Sequence, residues 1–302
     1  MTTHTQTDGW GRGRLLGVLA AAALAAVLLV GGLGLFALHV LTADPTDPAT
    51  AQDDAAGGVV VVDEAFLPAD GPGRREHLAG ARMLPVDDPR AYRQGQVSAT
   101  LVDPVVVPAA TRTGPAGVET GYPRTPEGAL GQLAAIDVAV VAGMSVPATH
   151  EIHRTWSVGG TDPAGWVMTH NVTTFLTAAG QGGQVKETGL VVTATPAAGQ
   201  VKGSDGDDWV VACVLLDVRA TLVESARVAY GHCEAMTWQE DRWVIEATSP
   251  VAPAPSTWPG TDLAARAGWR PWVVAGSSTG TSTAPVGDPP PGTAGTAGTD
   301  GE

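Results

Sequence analysis

The sequence predicts an α+β domain, with helices packed on one face of a curved antiparallel sheet, behind one N-terminal transmembrane helix. Three observations indicate this fold. An uncharged apolar run of membrane length lies near the N-terminus, helical patterns begin at Thr125, and strand patterns rich in Val, Trp and Tyr begin at Gly189. Helical patterns followed by strand patterns are typical of helices gathered on one side of an antiparallel sheet.

The apolar run is long enough to cross a bilayer. Residues 15–38 contain no polar side chain, and the first formal charge after them is Asp44. At ~1.5 Å per residue this run reaches ~36 Å, against a hydrocarbon core of ~30 Å. A secretory signal has an apolar region of only about 7–15 residues. We therefore predict a membrane anchor over residues 15–41.

Charge predicts the orientation and the partners. Arg12 and Arg14 precede the anchor and acidic residues follow it, so residues 1–14 are predicted to be cytoplasmic and the rest extracellular. The net charge is -14, which argues against direct nucleic-acid binding. The bilayer is the predicted partner of the anchor. The small residues of the anchor fit either homo-oligomer packing or an ordinary alanine-rich span.

Composition divides the chain into seven ranges. Prolines interrupt the valine runs before residue 118, and Gly, Ser, Thr and Pro dominate the last residues. We interpret the ranges as a cytoplasmic tail (1–14), a transmembrane helix (15–41), a linker (42–58), an irregular stalk or preamble (59–118), an exported α+β domain (119–250), a Pro/Trp-rich extension (251–273) and a disordered tail (274–302).

The exported domain is predicted to begin with a capped helix. The Thr-Pro-Glu sequence at 125–127 supplies an N-cap, a first-turn proline and a first-turn acid. The helix to about Met144 is apolar on nearly every side, which is typical of a core helix. A short helix at 148–156 and an amphipathic helix at 163–179 follow.

Four strands and a tight hairpin at 239–241 are predicted after the helices. The predicted strands are 189–195, 209–219, 227–238 and 242–247.

Cys213 and Cys233 are the only two cysteines, and they lie on strands predicted to be neighbours. A hairpin turn centred near Val223 would place them opposite each other. In an exported, oxidising location this favours a disulfide. The alternative is two buried thiols.

Tryptophans concentrate near the C-terminus, where Trp258, Trp269 and Trp272 lie in the extension. Tryptophan is common at protein interfaces, so these three residues form a possible interface with a partner. The alternative is that the extension folds back and buries the rings in the core.

Candidate catalytic and metal-binding groups are weak. His150 and His153 lack the spacing of a zinc motif, and a surface helix explains them better. Asp137 and His170 could form an acid–base pair, but His170 falls on a threonine-rich helix face that is predicted to be exposed. We therefore predict no catalytic, cofactor-binding or metal-binding residues, and no cofactor.

Several motifs together carry a family resemblance. They are YPRTPEGALGQL, WVVACVLL, GHCEAMTW, DRWVIEATSP and PAPSTWPGTDLAARAGW, behind one membrane anchor. This order resembles membrane-anchored conjugal transfer proteins of actinobacterial integrative and conjugative elements, which are similar to TcpC-like bitopic assembly factors of type IV secretion systems. The resemblance implies a nuclear-transport-factor-2-like cone of helices on a curved antiparallel sheet. It also implies a non-catalytic assembly component that oligomerises and contacts other membrane subunits of a conjugation channel.

Three functions are compatible with these expectations. The first is a structural subunit of a conjugation apparatus. The second is a module that binds a small apolar molecule, and the third is an isomerase or dehydratase that uses Asp137 and His170.

Overall fold

The computed structural model describes residues 70–160 and 162–276. The predicted transmembrane helix at 15–41 and the predicted linker at 42–58 lie outside these residues, as does nearly all of the predicted tail from 274. No helix in the described ranges is long and apolar enough to cross a membrane.

Five α-helices and nine strands occur in the described part of the chain. The helices are α1 Gly71–Gly80, α2 Pro126–Gly143, α3 Val146–Trp156, α4 Val167–Ala178 and α5 Asp262–Arg266. The strands are β1 Val105–Val107, β2 Arg112–Thr113, β3 Glu119–Thr120, β4 Ser157–Val158, β5 Val191–Asp205, β6 Trp209–Thr221, β7 Ser225–Gln239, β8 Arg242–Glu246 and β9 Arg270–Val274.

Seven of the strands form one mixed sheet in the order β1-β9-β5-β6-β7-β8-β4. The two outermost pairs, β1 with β9 and β4 with β8, are parallel. The four pairs between them are antiparallel. β2 and β3 form a separate antiparallel pair. The protein therefore has a mostly sheet-based α+β fold.

The prediction of a nuclear-transport-factor-2-like cone on an antiparallel sheet is wrong, because the sheet is mixed and wider than the four predicted strands. The difference arises mainly at the edges. β1 and β9 lie in ranges interpreted as a stalk and an extension, and they are three and five residues long. Strands this short show little periodicity, so tertiary contacts rather than local pattern decide their pairing.

The first helix of the domain begins where its sequence predicts. The Thr125 hydroxyl accepts a hydrogen bond from the Gly128 amide at 3.1 Å, and Pro126 occupies the first turn. A Cβ on Gly128 would lie 1.9 Å from the Pro123 carbonyl oxygen, so only glycine fits at this position in the first turn of α2. The predicted helix at 163–179 begins later, at Val167, because Asp162 caps a separate 3-10 turn at Pro163–Gly165.

One face of the sheet packs against α2, α3 and α4. We call it the helix face. α2 contributes Leu130, Leu133 and Ile136, each 0 % exposed, which explains its apolar residues on nearly every side. Alternate residues of β6 meet this layer, namely Val210, Ala212, Val214 and Leu216.

The opposite face, which we call the outer face, is covered by irregular chain and two short helices. α1 brings Leu78 and Ala79 onto Trp209 and Val211 of β6. α5 and the residues around it cover the centre of the same face. β6 is therefore buried on both sides. Parts of the range interpreted as a stalk, 59–118, belong to this fold through α1 and β1.

Candidate functional site

A group of polar side chains, most of them titratable, lies between the helix face of the sheet and the helices. β7 supplies Tyr230, His232 and Glu234, which point to one side because side chains alternate along a strand. α2 supplies Asp137, and Trp166 precedes α4. We call these five residues the buried polar cluster.

His232 sits between two carboxylates. Its Nδ1 lies 2.9 Å from Asp137 Oδ1, and its Nε2 lies 3.2 Å from Glu234 Oε1. The exposed fractions of the Asp137, His232 and Glu234 side chains are 0 %, 5 % and 13 %. This imidazole therefore links α2 to β7 through contacts that solvent barely reaches.

Neighbouring polar groups complete the cluster. The Trp166 indole nitrogen donates to Glu234 Oε1 at 2.8 Å. The Tyr230 hydroxyl accepts from the Asn171 amide nitrogen at 2.7 Å and lies 3.1 Å from the Met168 sulfur. The cluster thus ties α4 as well as α2 to the middle of the sheet.

Burial and charge act in opposite directions on His232. Burial alone lowers its pKa, because it disfavours the charged ring. Asp137, Tyr230 and Glu234 oppose this effect and hold the pKa of His232 well above its ordinary value. Burial raises the pKa of Asp137, and the nearby imidazole partly offsets that rise. Each member of the Asp137–His232 pair thus favours the charged form of the other.

The acid–base groups of the cluster lie apart from two cavities of the fold. Asp137 is completely buried. Two cavities of about 430 Å³ and 370 Å³ occur in the described residues, and neither is lined by a member of the buried polar cluster. One lies beside β1, and the other lies over Ala198 and Trp269. The contacts of the cluster can therefore hold the helices and the sheet together.

The predicted disulfide between Cys213 and Cys233 is present. The two residues are direct cross-strand partners on β6 and β7, as a turn near Val223 requires. Both lie on the outer face, and their exposed fractions are 0 % and 7 %. Because Cys233 follows His232 directly, adjacent residues of one strand carry the ion pair on one face and the covalent link on the other.

The tryptophans of the extension lie within the fold. Trp258 is 8 % exposed and Trp269 is 2 % exposed, and both pack in the outer-face core. Trp272 is half-buried against the helix-face core. A Cβ on Gly231 would lie 2.8 Å from the Pro255 carbonyl oxygen, so glycine permits this close packing of the extension on β7. These contacts match the fold-back alternative rather than a free docking edge.

The histidines singled out in the sequence take different positions in the fold. His170 is exposed, and Asp137 pairs with His232 instead of His170. His150 and His153 lie on α3, where His153 is buried and its ring centroid is 5.0 Å from that of Trp166. No group of three or more metal-ligating side chains occurs within residues 70–160 and 162–276.

Sequence reasoning missed His232 and Glu234. The available signal was the alternation in Tyr-Gly-His-Cys-Glu-Ala at 230–235, where every second residue is polar and the others are small. Such alternation usually indicates a solvent-facing side. Here the polar side faces the helices, because α2 supplies the matching carboxylate.

Comparisons with protein-family models, with curated proteins and with solved structures find no match to this chain. Its function is therefore inferred from its own sequence and geometry.

Proposed function

We propose that this chain is a non-catalytic structural component of a conjugation apparatus of the type IV secretion kind. It acts at the cytoplasmic membrane, through protein–protein contacts of an exported domain, and it forms homo-oligomers. The observation that carries the proposal is the complete burial of Asp137 beside His232, away from both cavities. The motif resemblance supplies the kind of apparatus.

The buried polar cluster supports a structural role. A catalytic acid or base must reach the proton that it transfers within about 3 Å. Asp137 instead contacts His232, and the Glu234 carboxylate is held by both His232 and Trp166. The Asp137–His232 contact joins α2 to β7.

The disulfide supports export. Disulfides persist in oxidising compartments and are rare in the cytosol. The Cys213–Cys233 link lies in the middle of the sheet, so the folded domain and the link are expected in the same compartment. The uncharged apolar residues 15–38, with Arg12 and Arg14 before them, hold the chain at the membrane in this proposal.

Contacts with partners need an exposed surface. Apolar side chains are exposed at the turn between β6 and β7, where Val223 is 93 % and Leu222 is 49 % exposed. Nearby Val191 at the start of β5 is 57 % exposed. Exposed apolar groups gathered at one place indicate an interaction surface.

The test is a pull-down of the tagged full chain from detergent-solubilised membranes of its native host. We expect recovery of additional copies of the chain together with membrane subunits and the ATPase of a conjugation channel. The control is the same tag on an unrelated single-pass membrane protein. Recovery of the chain alone, from a host in which the conjugation genes are expressed, would contradict the proposal.

A further inference from the structure

The first part of β5 has a strand on only one side. β5 pairs with β6 along its whole length, whereas β9 pairs only with Ala198 and Gly199. Within the described residues, no strand therefore pairs with Val191–Thr195 on the side opposite β6. We call this segment the free edge. Alternate backbone N–H and C=O groups of such an edge point outward and can pair with another strand.

The free edge lacks the protection that the outermost strands of the sheet carry. β1 has only three residues, bounded by Pro104 and Pro108, and β4 has only two. Short strands and prolines discourage pairing with another chain. The free edge reads Val-Val-Thr-Ala-Thr, with no charge and no proline before Pro196. Its β-branched residues favour an extended, paired conformation.

Exposed apolar side chains surround the free edge. Within it, Val191 is 57 % exposed. Val185 precedes it at 51 % exposed, and Leu222 and Val223 lie on the adjoining turn at 49 % and 93 %. Three of the ten large apolar side chains that are exposed in the described residues, Val191, Leu222 and Val223, thus lie at this end of the sheet.

Charge at this end is balanced, although the chain as a whole has a net charge of -14. Three positive and three negative side chains flank the free edge or lie on the adjoining ends of β6 and β7: Lys186, Arg219, Arg227, Asp217, Glu187 and Glu224. Both Arg side chains, Arg219 and Arg227, contact Asp217. Two copies of this acidic chain can therefore approach here without the repulsion that the net charge implies.

We propose that the free edge pairs with the free edge of a second copy of the chain, antiparallel and about a two-fold axis at Thr193. This inference rests on the proposed function, because it names the surface through which the exported domain self-associates. In this register Thr193 faces Thr193 of the second copy, and Val191 faces Thr195. No charged residues are brought opposite each other. The two-fold contact closes, so it gives a dimer rather than a filament.

Cysteine cross-linking of the full chain in membranes tests the register. In an antiparallel pair, facing Cα atoms lie about 4.5–5.5 Å apart, within the range that a disulfide spans. Both native cysteines are already paired. Mild oxidation of the Thr193→Cys variant should therefore give a dimer that dithiothreitol dissociates. The control is Thr221→Cys, exposed at the same end but on β6, between two neighbouring strands. It should stay monomeric.

A charge substitution tests the same contact without a cross-link. Thr193→Lys places two positive side chains opposite each other and should weaken self-association of the purified full chain several-fold, measured by analytical ultracentrifugation in detergent. Thr221→Lys adds the same charge away from the contact and should leave association unchanged. Melting temperatures of both variants that equal that of the wild-type chain show that the fold is intact.

The outcomes separate this inference from the proposed function. Failure of Thr193→Cys to cross-link, in a chain that still recovers channel subunits, overturns the free-edge contact and leaves the function standing. Efficient cross-linking of a chain that recovers no channel subunit overturns the function and supports the contact. A cross-link of the Thr193→Cys variant to a different protein, or a dimer formed by the Thr221→Cys control, overturns the two-fold pairing.

Discussion

The two faces of β7 are held to their neighbours by different chemistry. On the helix face, His232 contacts Asp137 of α2 and Glu234 of its own strand. On the outer face, Cys233 is covalently bonded to Cys213 of β6. The first link depends on protonation and the second depends on oxidation. The contacts of one strand thus depend on both pH and redox conditions, through two residues that are adjacent in sequence.

The largest expected effect comes from breaking the helix-face link. His232→Ala leaves two carboxylates close together in a dry site, and removing one partner of a buried ion pair destabilises a protein by about 3–5 kcal/mol. We expect a loss of this size in the free energy of unfolding, measured by urea denaturation with circular dichroism. His170→Ala, on an exposed histidine, is the control and should change it by less than about 0.5 kcal/mol. Similar losses in both variants would contradict the role of the cluster.

Breaking the outer-face link should have the next largest effect. Replacing Cys213 and Cys233 together by Ala removes a cross-link between residues 20 apart in sequence. We expect a loss of about 3 kcal/mol, measured in the same way, because the unfolded chain is no longer constrained. Reduction of the wild-type chain should reproduce this loss and leave the double variant unchanged. A double variant as stable as the wild type would contradict the structural role of the disulfide.

The pH dependence of stability should distinguish the two faces. The pKa of His232 is raised in the folded state, so its contribution is fully present below its unfolded pKa of about 6.5 and is lost as pH rises through the folded value. We expect the free energy of unfolding to fall as the pH rises above about 6.5 and through the raised pKa of His232. This fall should disappear in His232→Gln and persist in the Cys213→Ala/Cys233→Ala variant. A fall that persists in His232→Gln would assign it to another group.

The smallest expected effect concerns helix caps on the two faces. The hydroxyl of Thr125 caps α2 on the helix face, and the hydroxyl of Thr261 caps α5 on the outer face, with amide–oxygen distances of 3.1 Å and 3.2 Å. Substitution of either residue by Ala should cost about 1 kcal/mol, measured as a shift in the urea midpoint. Comparable costs would show that both layers unfold together with the sheet. If Thr261→Ala leaves the urea midpoint unchanged, the outer layer detaches before the sheet unfolds.

The sequence was most informative where the relevant interaction is local. The start of α2 follows from Thr125 and Pro126, because a cap involves residues only three positions apart. The pairing of Cys213 with Cys233 follows from a single hairpin turn. Both features depend on neighbours along the chain or across one turn.

Features that depend on distant residues could not be predicted in the same way. Asp137 and His232 are 95 positions apart, and neither neighbourhood indicates the other. β5 extends to Asp205, ten residues beyond its predicted end, because irregularities in its pairing near Pro196 and Gly203 hide the alternation. β1 and β9 are recognisable only once β9 pairs with β5 and β1 pairs with β9.

The cover of the outer face comes from both ends of the described chain, since α1 begins at Gly71 and the last covering residues extend to Trp269. If the domain crosses the membrane from its N-terminus, the hairpin of β6 and β7 emerges while the C-terminal part of that cover is still absent. Cys213 and Cys233 can then be oxidised by an external catalyst before α5 arrives and shields them. In that case the order of export gives the thiols a limited period of access, and a chain that stalls before Trp258 would leave the cross-linked hairpin without this part of its cover and open to proteases.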